Sequence, residues 1–272
     1  MGILERIHWA VDLLADLPRV KHLRMRRYET HFAMHNGHNI YRGVYSSYAQ
    51  ALDSAPTSKP IGYDNPDSAT LYVGRTDRIV PSDYPALFWL QKLWLNGCTG
   101  VFDLGGNIGV SYRAYRRLAT YPAGLRWVVH DVPTIVELGQ QWLRENDTQG
   151  HLSFTGDPAE ASGTDILLIN GALQYLPYEL DELLGELNKL PAHLLVNRFP
   201  LHPTESFFTL QSTGVAFCPY RVLSEPRFEA SVTALGYSVV DRWRVPELSC
   251  HIPFAPTRSF DGYQGVMFSL RL

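Results

Sequence analysis

The sequence predicts an α/β fold: a mostly parallel sheet flanked by helices, with an antiparallel edge and a helical N-terminal cap. Three observations carry this. From residue 100 onward, short apolar runs alternate with amphipathic helical stretches, the pattern of a parallel sheet. The first run breaks on glycines and re-enters a helix, VFDLGGNIGVSY (101–112), an arrangement that holds a ligand at a helix N-terminus. The last two runs have no helix between them, which predicts an antiparallel hairpin at one sheet edge.

At the N-terminus, Ile3, Ile7, Val11, Leu14 and Leu17 recur at helical spacing until Pro18. The basic stretch RVKHLRMRR (19–27) reads as a solvated helix face. HFAMHNGHN follows, with His31 and His35 four apart and His38 three further on. It lacks the acid of an H-E-x-x-H site, and no metal is assigned to it. Residues 53–85, rich in Pro, Asp, Ser and Tyr, read as a connecting segment, and PALFWLQKLWL (85–95) as an amphipathic helix. The texture changes near residue 96, which predicts two parts: a cap over 1–95 and the sheet domain over 96–272. In the second part the predicted order is strand GVFDL, helix 109–120, strand 125–131, helix 134–145, strand 151–156, strand 165–170, helix 178–190 and strand 192–199. A long insertion (199–224), helix 225–235 ending at Gly236, and strands 237–245 and 265–272 complete it.

Composition narrows the function. The chain has 272 residues, 45% hydrophobic and 19% charged, with a formal net charge of −3. That apolar share fills a sizeable core. The near-neutral balance gives no electrostatic case for a nucleic-acid partner. No apolar run approaches the roughly 20 residues of a membrane span. The N-terminal stretch carries acids within its apolar residues and does not read as a signal peptide. Arg6 stands where a myristoylated Met-Gly start requires Ser or Thr. Cys98, Cys218 and Cys250 are widely spaced with no C-x-x-C pair, so they are predicted to be free thiols in a reducing cytoplasm. The apolar stripe over 3–17 can pack on its own core or on a second subunit, which makes a homodimer through the cap an expectation.

Which ligand the glycine loop takes is decided by spacing. A triphosphate loop needs G-x-x-x-x-G-K-[ST], and no Lys follows Gly109. A dinucleotide fingerprint needs G-x-G-x-x-G, which Gly105-Gly106-Asn107-Ile108-Gly109 does not supply, so a nicotinamide oxidoreductase is disfavoured. D-x-G-x-x-x-G, with Asp103 inside the strand end, suits S-adenosylmethionine. Glycines allow close backbone approach to the methionyl and ribose portions. Asp103 can organise the loop and, directly or through water, receive the amino group. The ribose diol needs an acceptor at the next strand end, where Asp131 stands beside Val132 in WVVHDVP. Asp157, in FTGDP, is placed near the adenine. Asn170-Gly171 end the fourth strand, and Tyr112, on the first turns after Gly109, is a further candidate for the pocket wall.

These residues resemble the class I S-adenosylmethionine-dependent methyltransferases. VFDLGGNIG looks like their first motif, and VVHDVP is similar to the D-L-P after the second strand of many O-methyltransferases. A closer resemblance is to a poorly characterised bacterial methyltransferase family. Its members carry stretches like YRGVYSSYAQAL (41–52), GYDN (62–65), DYPALFWL (83–90) and TLQ (209–211). The resemblance spans residues 41–272. It implies a seven-stranded, Rossmann-like sheet with the last strand antiparallel, and methyl transfer to a small molecule, a secondary metabolite or a glycan precursor. The alternative is a non-catalytic S-adenosylmethionine-binding scaffold. The product of turnover would be S-adenosylhomocysteine.

One departure bears on chemistry. Plant-type O-methyltransferases place a histidine base after the fourth strand, where GALQYLP has Gln174. Glutamine takes no proton. Methyl transfer from a sulfonium is an in-line displacement that needs alignment and water exclusion, and a base only for a protonated acceptor. Candidates outside the cofactor site are therefore His202 as base, with Tyr220 and Gln211 orienting. Gln174, Tyr175, Arg198 and His251 are assigned to the substrate wall.

Overall fold

A computed structural model describes residues 18–37, 39–146 and 150–271. The helix predicted over 3–17, and His38, lie outside the described residues. Helix α1 (Pro18–Met34) is exposed through its basic stretch and buries Phe32 near its end. Strand β1 (Ile40–Tyr45) and helix α2 (Tyr48–Asp53) follow, the latter capped by the Ser47 side chain accepting from Gln50 N. Helix α3 (Pro66–Thr70), a 3-10 turn (Val73–Arg75) and helix α4 (Asp83–Leu95) complete the N-terminal part.

The sheet domain begins with β2 (Gly100–Leu104), α5 (Val110–Tyr115), β3 (Arg126–His130), α6 (Pro133–Asn146), β4 (Leu152–Thr155) and β5 (Ile166–Asn170). Helix α7 (Leu180–Glu186) and strand β6 (His193–Phe199) follow. Helix α8 (Glu225–Ala234) and strands β10 (Tyr237–Cys250) and β11 (Phe260–Leu270) end the chain. The seven strands are ordered β10-β11-β6-β5-β2-β3-β4. Strands β2 to β6 are parallel, β11 is antiparallel to β6, and β10 to β11. Strand order therefore reverses between β2 and β5, and α/β sheets bind ligands outside the carboxyl ends of strands at such a point.

Every residue of β2 is buried, because helices cover both sheet faces. Side chains alternate across the strands. Val101, Trp127, Ile166 and Leu168 pack with Leu90, Trp94, Tyr112 and Tyr115 of α4 and α5. Phe102, Leu104, Leu167 and Ile169 pack on the opposite face with Leu183 and Leu184 of α7 and Phe228 of α8. Cys98, Cys218 and Cys250 are free thiols. Among the described residues no helix is long and apolar enough to cross a membrane.

The structure differs from the sequence expectation in the insertion. Residues 199–224 form three strands: β7 (Leu201–His202), β8 (Phe207–Ser212) and β9 (Phe217–Ser224). With β1 they make a second sheet, ordered β1-β8-β9-β7. Strand β1 escapes a periodicity reading because Gly43 adopts φ 72° and the register with β8 shifts between Arg42 and Tyr45. The connecting segment is also anchored: Phe217 N donates to Pro60 O (2.9 Å) and Gly62 N to Phe217 O (2.9 Å). Helices α5 and α7 are shorter than predicted, and β10 and β11 longer. The Leu118 N–H turns back to Tyr115 O in a 3-10 step just before Pro122, which ends α5 early.

Candidate functional site

The loop from β2 to α5 is built by close approach. Gly105 sits at φ 71°, and a Cβ there would lie 2.3 Å from Ala172 Cβ; a Cβ on Gly106 would lie 2.6 Å from the Asp103 carboxylate. Gly105→Ala is therefore expected to cost about 3 kcal/mol, from left-handed strain and overpacking together. Urea denaturation at constant m-value measures it, and an unchanged midpoint would contradict the close approach.

Asp131 locks the loop from the neighbouring strand. Its Oδ2 accepts from Asn107 N (2.8 Å) and its Oδ1 from Val132 N (2.8 Å). Asn107 is thereby held at φ 53°. Loss of solvent pushes the Asp131 carboxyl up to about 6, with nearby Asp64 adding to the shift. Asp64 itself accepts from Thr134 N at the start of α6 (3.0 Å).

These residues face a cavity of about 340 Å³ above the carboxyl ends of β2, β3, β5 and β6. Of the residues predicted from sequence, Gly105, Gly106, Asn107, Asp131 and Val132 line one part of it. Asn170, Gly171, Tyr175 and Arg198 line the other. Sequence reasoning missed Ser111, Asp64, Tyr63, Tyr72, Arg75 and Cys218, all of which also line it. The roof is aromatic: Tyr63 meets Tyr175 edge-on with centroids 4.8 Å apart, and the Tyr63 and Tyr72 hydroxyls are 3.3 Å apart. Burial pushes Tyr63, Tyr72 and Tyr175 upward and the Cys218 thiol up to about 12.

The floor at β5 and β6 is a polar network. Asn170 Nδ2 donates to Ser111 Oγ and to the Tyr115 hydroxyl (both 3.0 Å), and Asn197 Nδ2 donates to Asn170 Oδ1 (3.0 Å) and Ser82 O (2.8 Å). The Tyr115 hydroxyl donates to Asp83 Oδ1 (3.0 Å). Arg198, at φ 55° on the end of β6, pairs with Asp83 Oδ1 and donates from Nε to Ser82 Oγ (2.7 Å). Arg75 approaches the other Asp83 oxygen at 3.7 Å. Two guanidiniums thus share one carboxylate.

Other predicted residues are not brought to the cavity. Asp103 lies beneath the loop, fully buried, its Oδ2 accepting from Trp127 Nε1 (3.1 Å) and its Oδ1 without a partner. Gly109 faces Leu152 and Phe154 instead. Tyr112 is 1% exposed in the core against Tyr121 and Trp127. Asp157 is exposed and caps a 3-10 turn, accepting from Ala159 N (2.9 Å). Gln174 turns its amide back to Gly171 O (2.9 Å). His202 is buried between Phe207 and Phe260; its Nε2 donates to Thr257 O (3.1 Å), and its Nδ1 accepts from Glu205 N (3.1 Å), so its lone pair is already used. The Tyr220 hydroxyl donates to that of Tyr263 (2.7 Å). Gln211 supports the wall from behind, accepting from the Tyr175 hydroxyl (2.8 Å). His251 is exposed and pairs with Asp261 (3.0 Å).

Burial raises the Asp103 carboxyl from 3.8 to about 7. A carboxyl raised on folding supports the fold fully below its ordinary value, and that support is lost as pH rises through about 7. Asp103→Asn keeps the acceptor for Trp127 and never ionises. It is expected to raise the stability of the ligand-free protein at pH 8 by up to about 4 kcal/mol, with little change at pH 4. Urea denaturation at both pH values tests this, and equal stability at pH 8 would count against a desolvated Asp103.

No protein-family model matches the chain, and no curated protein matches it. Solved structures do. A Galdieria sulphuraria protein, provisionally assigned as a sarcosine dimethylglycine methyltransferase, aligns at TM-score 0.51 and 13% identity over 76% of this chain and 98% of its own. The chain has the class I methyltransferase fold. Two further structures with this fold align less closely. Magnesium protoporphyrin IX methyltransferase from Synechocystis PCC 6803, with bound S-adenosylhomocysteine, gives TM-score 0.48 and 13% identity over 77% and 89% of the two chains. Burkholderia thailandensis 1,6-didemethyltoxoflavin-N1-methyltransferase gives 0.43 and 18% over 72% and 92%. Within the class I methyltransferase fold of this chain, the cavity occupies the switch point between β2 and β5.

Proposed function

We propose that this protein transfers a methyl group from S-adenosylmethionine to a small-molecule acceptor. The observation that carries the reading is the Asp131 carboxylate, held by two backbone N–H groups in the cavity wall, next to a glycine loop whose backbone packs too closely on Ala172 and Asp103 to admit a Cβ. A carboxylate there suits a ribose diol and disfavours a phosphate. Gly105 and Gly106 would hold the methionyl and ribose portions, and Val132 would flank the adenine. Ser111, Asn170 and Gly171 would meet the amino-acid end. When bound, the cofactor supplies a methyl already activated by a sulfonium. The chain's part is to align an acceptor and keep water out, through the Tyr63, Tyr72 and Tyr175 roof.

The reading extends to the organisation of the chain. Residues 1–95 serve as a cap and 96–272 as the cofactor-binding domain. Pairing of β1 with β8 supports a cap that shares its sheet with the insertion. A cytoplasmic enzyme of a secondary-metabolite or glycan-precursor route, related to the bacterial family whose motifs it resembles and dimeric through the cap, completes the proposal.

Calorimetric titration with S-adenosylmethionine, S-adenosylhomocysteine and NAD tests it. Micromolar binding of the first two and none of NAD is expected. Selective NAD binding, or no binding of the first two, would overturn it.

A further inference from the structure

The two ends of the cavity carry opposite charge, and resting on the methyl-transfer reading above, that asymmetry identifies the class of acceptor. Strands β3 and β6 are three intervals apart in the sheet, so their ends lie about 14 Å apart. At the β3 end stand Asp131 and Asp64. At the β6 end, Arg198 and Arg75 both reach the single carboxylate of Asp83. Asp83 is 3% and Arg198 7% exposed, whereas the Arg75 side chain is 29% exposed and its buried Nε has no hydrogen-bond partner. Asp83, and Glu247 which accepts from Ser82 N (2.9 Å), stand behind the cavity wall and do not line it, so the two guanidiniums are what this end presents to a ligand. Between the two ends the roof is made of tyrosine rings, which suits a flat, unsaturated body.

A second observation concerns protons. Among the described residues lining the cavity there is no histidine or lysine. The carboxylates that line it are Asp131 and Asp64, at the far end, both engaged with backbone N–H groups. Burial pushes the tyrosines away from any role as base. Nothing at the cationic end would remove a proton from the acceptor, so an acceptor that arrives ionised is the one this site serves.

We propose that the acceptor is an aromatic carboxylic acid, bound as its carboxylate at Arg198 and Arg75 and methylated on a carboxylate oxygen. That oxygen forms the new bond to the methyl carbon, and the carbon–sulfur bond breaks with its electron pair left on sulfur. Carboxylate and sulfonium charges cancel, giving a neutral methyl ester and a neutral thioether, and no proton is released.

The test uses the full chain saturated with S-adenosylhomocysteine and titrated with benzoate, cinnamate and indole-3-carboxylate, each beside its primary amide. At least one acid is expected to bind about tenfold or more tighter than its amide. Arg198→Lys should lower that binding by about tenfold or more and leave S-adenosylhomocysteine binding within about threefold, since a point-charge ammonium does not replace a guanidinium fork. Arg75→Gln, at a less buried position, repeats the test if the first variant does not fold. Transfer of tritiated methyl to the same acids should give label released by alkali as volatile methanol. Equal binding of acids and amides, no acid binding, or alkali-stable label would overturn the proposal. So would an equal loss of S-adenosylhomocysteine affinity in both arginine variants, because the cations would then serve the carboxylate of the cofactor. Failure of the wild type to bind S-adenosylhomocysteine would instead sink the methyl-transfer reading, and the acids are then titrated against the ligand-free protein to judge the cationic end by itself.

Discussion

Asp131→Ala is expected to weaken S-adenosylhomocysteine binding by about 100-fold or more, read by calorimetry. Two effects add. On the proposed reading the ribose hydroxyls lose a charged acceptor, and a pair of charge-assisted hydrogen bonds is worth about 3 kcal/mol. The loop also loses its anchor, since Asn107 N and Val132 N both donate to this carboxylate (2.8 Å each). Asp131→Asn keeps one acceptor and is expected to retain more affinity than the alanine variant. A pH signature follows. With its carboxyl pushed up to about 6, Asp131 is ionised at pH 8 and largely protonated at pH 5. Affinity should therefore fall by about tenfold between those values and not fall in Asp131→Asn. Alanine binding as tightly as wild type would show that the cavity grips its ligand elsewhere.

The parts of the site that are legible from sequence are those fixed by the strand-end rule. Gly105, Asn107, Asp131 and Asn170 each follow an apolar run that can only be a strand of the parallel sheet, so their placement at one edge needs no tertiary information. Tyr112 shows where that logic stops. One helical step of about 100° separates it from Ser111, and Ser111 faces the cavity while Tyr112 faces the core. His202 between Leu201 and Pro203 looks like a free loop residue, yet pairing of β7 with β9 buries it. Arg75, Tyr63 and Tyr72 lie in a stretch with no periodicity. They reach the site because Pro60 and Gly62 are strapped to Phe217, a contact between segments far apart in the chain that no local pattern encodes.

Asp83→Ala is expected to have the largest effect on stability, about 3 to 5 kcal/mol, the cost of leaving a buried charge without its partner. For a chain of this size that lowers Tm by roughly 10 °C. Asp83 accepts from Val80 N (2.9 Å), the Tyr115 hydroxyl (3.0 Å) and Arg198, and pairs with Arg75 at 3.7 Å, so its loss orphans donors from three segments and leaves a fourth without its counter-charge. The double variant Asp83→Ala with Arg198→Met is the informative one. Removing both buried charges of a pair and leaving apolar groups is often nearly neutral, so most of the lost stability should return. If it returns while carboxylate binding stays lost, the pair is kept for the ligand and not for the fold. If stability does not return, Arg198 holds the strand end of β6 through Ser82 independently of Asp83, and its positive φ is a structural requirement of that contact. Thermal unfolding of the wild type, Asp83→Ala and the double variant, with benzoate and S-adenosylhomocysteine titrations beside it, separates the two outcomes.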